Sequence, residues 1–198
     1  MMMRTGKWIV VTFVAAGALA QAPNHLTDKD PSVGAPEYAI WVDVPFVHQP
    51  AEGCGAASIA MLMQYWAAQQ KTQAGGDSDV AAIQRALYSR EDHGIRATAM
   101  QQYLTEHGFR VFAINGTWGD LEEQLRKGRP LIIAIRPEDQ KQLHYVVIDG
   151  MDPTHALVMM NDPGERKLLT EERARFEKDW SATHNWLLLA VPASAQSH

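Results

Sequence analysis

Apolar residues recur at helical spacing through much of the first two thirds of the chain. Within residues 54–68, Ala57, Met61, Tyr65 and Ala68 follow one another at three or four positions, which predicts a helix. Similar spacing, with a capping Ser or Asp before the segment or a glycine directly after it, predicts three more helices. These helices are expected over residues 79–88, 98–107 and 118–127.

The second half of the chain changes to short, continuously apolar runs. Such runs are typical of central strands, and they occupy residues 130–135, 143–149 and 156–160, with a turn at 150–154. Further strands are predicted over residues 38–47, 109–114 and 185–191, and a short helix near residues 170–179. Helices followed by an antiparallel sheet predict an α+β fold, in one domain over residues 38–193.

The first twenty residues have the pattern of an export signal. Arg4 and Lys7 precede an apolar run from Trp8 to Ala20, which ends in a small-x-small cleavage sequence. A run of this length is short for a transmembrane helix, so we expect cleavage after Ala20 and no stable membrane span afterwards; a retained anchor is the alternative. The protein is therefore expected in the periplasm or outside the cell. Residues 21–37 are expected to form a flexible leader and residues 194–198 a disordered tail.

Charge and histidine spacing exclude two classes of function. The net charge is −5, and loss of residues 1–20 would remove two basic and no acidic residues, leaving −7, which argues against nucleic acid as a partner. The eight histidines include no His-x-His or His-x-x-x-His pair, and there is only one cysteine, so we expect no metal site and no cofactor. The oligomeric state is left open.

The single cysteine, Cys54, lies between two glycines, where a polar loop meets the first predicted helix. A helix N-terminus favours a thiolate, which is the nucleophilic form of cysteine. A lone cysteine cannot form an intramolecular disulfide, so Cys54 is either a packed core residue or a reactive thiol.

Three other residues complete a candidate site. His144 opens one predicted strand and Asp162 follows the next, so an antiparallel hairpin would bring both to the same end. Asp162 could then orient His144 as a base for Cys54. Gln49 could donate to an oxyanion together with the backbone N–H of Cys54. Each also has a purely structural interpretation: a packed histidine, an Asn-Asp-Pro-Gly turn and a surface glutamine.

Four segments carry a resemblance to a known family: Phe46-Val-His-Gln49, Cys54-Gly-Ala-Ala-Ser-Ile-Ala-Met61, His144-Tyr-Val-Val-Ile-Asp-Gly150 and Asn161-Asp-Pro-Gly164. Over residues 40–192 the chain resembles the double-glycine-leader (bacteriocin-processing) cysteine peptidases and their stand-alone relatives, which are papain-like. The resemblance implies a papain-like fold and a peptide or protein substrate. It also implies Cys54 as nucleophile, His144 as base and then acid, Asp162 as the orienting carboxylate and Gln49 in the oxyanion hole.

Two other functions remain open at this point. A transglutaminase-like acyltransferase would share the chemistry up to the thioester and pass the acyl group to an amine instead of water. A non-catalytic peptide-binding module of the same fold would retain the cleft without turnover.

Overall fold

The computed structural model describes residues 39–138 and 141–193. Its five α-helices differ from the predicted bounds by at most three residues, and a 3₁₀ turn, Gly76–Ser78, precedes the second. The helices are α1 (Cys54–Gln69), α2 (Val80–Leu87), α3 (Ala97–Glu106), α4 (Trp118–Arg126) and α5 (Arg173–Ser181).

Seven strands form one sheet in which every described pair is antiparallel. The strands are β1 (Ile40–Trp41), β2 (Phe109–Asn115), β3 (Leu131–Ile135), β4 (His144–Asp152), β5 (Leu157–Asn161), β6 (Leu169–Glu172) and β7 (Trp186–Pro192). Their order is β2-β7-β3-β4-β5-β6, with β1 paired to β4. The mixture of helices with an antiparallel sheet is the α+β architecture that the sequence predicted.

The core forms where α1 packs on β4 and β3, because all three elements are predominantly apolar. Every α1 residue from 55 to 63 is buried, as are all five residues of β3. Polar atoms at the far end of α1 are satisfied by distant backbone: Tyr65 donates to the carbonyl of Gly128 at 2.7 Å, and Trp66 to that of Ala190 at 3.0 Å. These contacts fix the direction of the helix whose first residue is Cys54.

The predicted strand over residues 38–47 is wrong for most of its length. Only Ile40–Trp41 pairs with another strand, opposite Met151 and Gly150 of β4. After the Val42 N–H donates to the carbonyl of Asp149 at 2.8 Å, the chain leaves the sheet, although Val44 is fully buried. Burial of an irregular segment therefore produced the apolar pattern that resembled a strand.

The start of the predicted helix near 170–179 is also wrong. Residues 169–172 form β6, a pairing partner of β5, and α5 begins at Arg173. Leu169-Thr-Glu-Glu172 has no apolar alternation, so only the neighbouring strand determines its conformation.

The turn predicted at residues 150–154 comes later in the chain. β4 continues to Asp152 because a bulge at Asp149 restores its register with β5. Gly150 is needed there, since a Cβ at this position would lie 2.9 Å from the Met159 side chain and 3.0 Å from the Ile40 carbonyl oxygen.

The predicted signal peptide, leader and tail, residues 1–20, 21–37 and 194–198, lie outside the described residues. Among the residues that are described, no helix is long and apolar enough to cross a bilayer.

Candidate active site

Cys54 is the first residue of α1 and is partly exposed. A tight turn delivers the chain to this point, with the Gly53 N–H donating to the Pro50 carbonyl at 2.9 Å. Gly53 is required in this turn because a Cβ would lie 2.5 Å from the Pro50 ring. No side chain caps the helix, so its N-terminal dipole acts on the thiol without a competing carboxylate.

His144 and Asp162 meet across the β4–β5 hairpin. His144 is the first residue of β4, Asp162 directly follows β5, and the pairing of Val147 with Asn161 brings these two ends together. Nε2 of His144 lies 2.8 Å from Oδ1 of Asp162, and both side chains are largely buried. This pairing is the one expected from the antiparallel arrangement of the two strands.

Asp162 is held from several directions. Its Oδ1 also accepts the N–H of Gly164 at 2.8 Å, and its own N–H donates to the carbonyl of Arg166 at 3.1 Å. Burial alone would raise the pKa of Asp162, but the hydrogen bond and charge of His144, with backbone N–H groups of the turn, hold this pKa below its usual range. Asp162 is therefore a fixed anion.

Cys54 and His144 line one cleft of about 780 Å³. The imidazole has Asp162 and Cys54 as its two side-chain hydrogen-bond partners. Burial alone would lower the pKa of His144, but the hydrogen bonds and negative charges of Asp162 and Cys54 raise it to about 9. The imidazole is therefore protonated at neutral pH and can hold and donate a proton beside the thiol.

Gln49 lies on the same cleft as Cys54. Its N–H donates to the Pro163 carbonyl at 3.0 Å, and its side-chain amide lies against Gly164, where a Cβ would be 3.4 Å from Nε2. The loop carrying Gln49 is thus fastened to the turn that carries Asp162. The Oε1 atom of Gln49 is buried and has no hydrogen-bond partner within the described part of the chain.

Asn161 is a site-supporting residue that the sequence indicated only as a turn former. It is fully buried, its Nδ2 donates to the Val44 carbonyl at 3.2 Å, and its Oδ1 accepts the Leu168 N–H at 3.1 Å. One side chain therefore joins the end of β5 to the segment before Gln49 and to the loop after Asp162.

Glu52 and Tyr145 also line the cleft and were not singled out from the sequence. Glu52 has a positive φ of 55°, and its carboxylate bonds to the Tyr88 hydroxyl and to Nδ1 of His93. Burial and the charge of Cys54 raise the pKa of Tyr145, so its hydroxyl stays protonated. The sequence could not have indicated Glu52, because its positive φ and its bonds to two other segments are visible only in the structure.

The described residues contain no group of three His, Cys, Asp or Glu side chains placed to hold a metal ion. The site offers a thiol, an imidazole, a carboxylate and amide donors, which together are suited to acyl transfer.

Three solved structures share this fold at low sequence identity. A proposed C39-like peptidase from Bacillus anthracis is 18% identical with a TM-score of 0.58, covering 78% of this chain and 98% of its own. The peptidase domain of Streptococcus ComA, a bifunctional ABC transporter involved in quorum sensing, is also 18% identical with a TM-score of 0.58, covering 76% and 99%. A double-glycine-motif protease from an AMS/PCAT transporter, solved with its leader peptide, is 21% identical with a TM-score of 0.56, covering 77% and 94%.

At these identities the similarity establishes the fold, and it confirms the predicted papain-like α+β architecture. No curated protein matches the sequence. The model of the Peptidase_C39 like family matches residues 41–187, which is more than half of the chain and includes all four candidate site residues. The resemblance found in the four sequence segments is thereby confirmed, and the chain belongs to the Peptidase_C39 like family.

Proposed function

We propose that this protein is a cysteine peptidase that hydrolyses peptide bonds with Cys54, His144 and Asp162, aided by Gln49. The observation that carries the proposal is one imidazole that bonds to a buried carboxylate and lines the same cleft as the Cys54 thiol, which helps to raise the pKa of that imidazole. Nucleophile, base and orienting group are the three parts of a catalytic triad.

The proposed reaction begins with the Cys54 thiolate attacking the scissile carbonyl carbon, so that a C–S bond forms and the carbonyl oxygen becomes an oxyanion. The Cys54 N–H and the Gln49 amide donate to that oxygen. His144 then gives its proton to the leaving nitrogen, the C–N bond breaks and a thioester remains. His144 next takes a proton from water, hydroxide attacks the thioester and the thiolate is released.

The expected substrate is a peptide or an extended protein segment. The AMS/PCAT protease was solved with a leader peptide, and the cleft of this chain has a volume large enough for several residues of a peptide. We leave the cleavage sequence open, because none of the argued contacts selects a glycine pair.

We also propose that the protein acts outside the cytoplasm. Support comes from the basic and then apolar sequence of residues 1–20. N-terminal sequencing of the protein recovered from cell fractions tests this: a periplasmic or extracellular chain that begins at Gln21 supports it, and an intact cytoplasmic chain contradicts it.

The function itself is tested by digesting a peptide library derived from a whole proteome and identifying new termini by mass spectrometry. We expect cleavage by the native protein, none by Cys54→Ala or His144→Ala, and native cleavage by His155→Ala, a matched change at an exposed histidine. A labelled primary amine is included in the reaction. Amine incorporation without cleavage would favour the acyltransferase, and bound peptides without either product would favour the binding module.

A further inference from the structure

The cleft around Cys54 has an uneven charge distribution. Two carboxylates line it, those of Glu52 and Asp92, and three permanent cations, those of Arg96, Arg136 and Lys141. The whole chain is negative, with a net charge of −5, so a cleft with an excess of cations differs from the average surface.

Both carboxylates already bond to other groups. Glu52 bonds to the Tyr88 hydroxyl and His93. Asp92 pairs with Arg96 at 2.6 Å. Neither carboxylate is paired with Arg136 or Lys141.

The two remaining cations of the cleft lie near the paired ends of β3 and β4. Arg136 directly follows β3, whose last residue, Ile135, pairs with His144, and its N–H donates to the Asp179 carbonyl at 2.9 Å. Lys141 lies three residues before His144. Both side chains are exposed, and neither forms an ion pair with another described residue.

We propose that Arg136 and Lys141 form a carboxylate-binding wall that selects peptides carrying a negative charge next to the scissile bond. This inference rests on the proposed peptidase function and names the class of substrate that the same site would prefer. The guanidinium of Arg136 provides paired donors for a carboxylate, and the Lys141 ammonium adds a second positive charge. Leu143, 39% exposed on the same wall, provides an apolar contact for the substrate stem.

The carboxylate could come from an Asp or Glu side chain or from the C-terminus of the substrate. The two sources differ in where cleavage falls. A side chain allows cleavage inside a long chain, whereas a terminal carboxylate restricts cleavage to a fixed distance from the end. Peptides with a free or an amidated C-terminus separate the two cases.

The first measurement is kcat/KM on matched peptides that contain Glu or Gln near the cleavage site, taken from the sequences cut in the library. We expect the native protein to prefer Glu by about 1.5-fold to fivefold, because an exposed charge pair gives an effect of this size, and we expect the preference to shrink in high salt. Arg136→Gln with Lys141→Gln should abolish the preference, and Arg136→Glu with Lys141→Glu should reverse it.

Two control variants, Lys71→Gln and Arg110→Gln, remove exposed cations that lie outside the cleft and form no ion pair with another described residue, and they should retain the native preference. Asp139 lies between Arg136 and Lys141 in the sequence but outside the described residues, so Asp139→Asn is measured as well and should keep or increase the preference for Glu. A loss of preference in Asp139→Asn would contradict the proposal.

A second measurement separates this inference from the peptidase proposal. Fluorescence anisotropy measures how tightly the Cys54→Ala variant binds labelled random decapeptides. Two peptide pools are compared, which are identical except for Glu or Gln at one fixed position. Tighter binding of the Glu pool, lost in the Arg136 and Lys141 variants, supports the wall even if the native protein cleaves nothing. Cleavage that depends on Cys54 but shows equal rates and equal binding for Glu and Gln would overturn the wall and leave the peptidase proposal standing.

Discussion

The side-chain amide of Asn161 donates to the carbonyl of Val44, 117 positions earlier in the chain. Asn161 immediately precedes Asp162, and Val44 begins the segment that leads to Gln49 and Cys54. The hydrogen bond therefore ties the carboxylate half of the proposed site to the nucleophile half.

Asn161→Ala should lower the free energy of unfolding by about 1–3 kcal/mol, because the buried carbonyl of Val44 and the partly buried N–H of Leu168 lose their partner. Asn115→Ala, at the exposed end of β2, should change it by less than about 0.5 kcal/mol. Urea denaturation measures both. Equal effects of the two substitutions would contradict the role given to Asn161.

Gln49→Ala should lower kcat by roughly 10²- to 10³-fold with little change in KM, since an oxyanion donor acts mainly in the transition state. Steady-state kinetics on a peptide identified from the library gives both constants. An unchanged kcat would remove Gln49 from the oxyanion hole and leave the Cys54 N–H as its donor.

The activity should fall as the pH rises through about 9. The pKa of His144 is raised to about 9, so the imidazolium that protonates the leaving nitrogen is present below that pH and lost above it. Asp162→Asn removes an anion that raises this pKa and should move the alkaline limb of the kcat/KM profile to lower pH. An alkaline limb at the same pH in both proteins would contradict the coupling.

Asp149 should make the fold less stable as the pH rises from about 4 to about 7. Its side chain is fully buried without a hydrogen-bond partner among the described residues, and burial raises its pKa from 3.8 to about 7. A carboxyl whose pKa is raised by folding favours the folded state while protonated, so that contribution is lost as Asp149 ionises.

Asp149→Asn should therefore flatten the dependence of the free energy of unfolding on pH. Between pH 4 and pH 8, the native protein should lose about 2–4 kcal/mol of stability relative to the variant. Glu106→Gln, a change at an exposed carboxyl in the last turn of α3, provides the control and should leave the dependence as it is. Parallel curves for the native protein and Asp149→Asn would show that Asp149 does not titrate in this range.

The helices and most strands could be predicted because their apolar periodicity is local. The proximity of His144 and Asp162 could also be predicted, since two successive apolar strands with a short connection form an antiparallel hairpin. The bonds of Asn161 could not, because its partners are set by the tertiary fold and leave no periodic signal. The same holds for β6, whose strand conformation comes from its neighbour β5.

The charge distribution in the cleft was equally hidden from the sequence. Arg136 and Lys141 are ordinary surface cations by pattern, and the β3–β4 pairing is what brings Arg136 to the end of β4 that Lys141 precedes in the sequence. The sequence also does not show that Glu52 bonds to His93 and that Asp92 pairs with Arg96, and so it does not show that neither carboxylate pairs with Arg136 or Lys141.

Alkylation of the one sulfhydryl gives the most immediate check on whether imidazole and sulfur work as a unit. The rate of iodoacetamide labelling at pH 6 should be at least tenfold lower in His144→Ala than in the native protein or in His155→Ala. Equal rates in all three proteins, rising only above about pH 8 as for an isolated thiol, would contradict the thiolate–imidazolium pair on which the proposed chemistry depends.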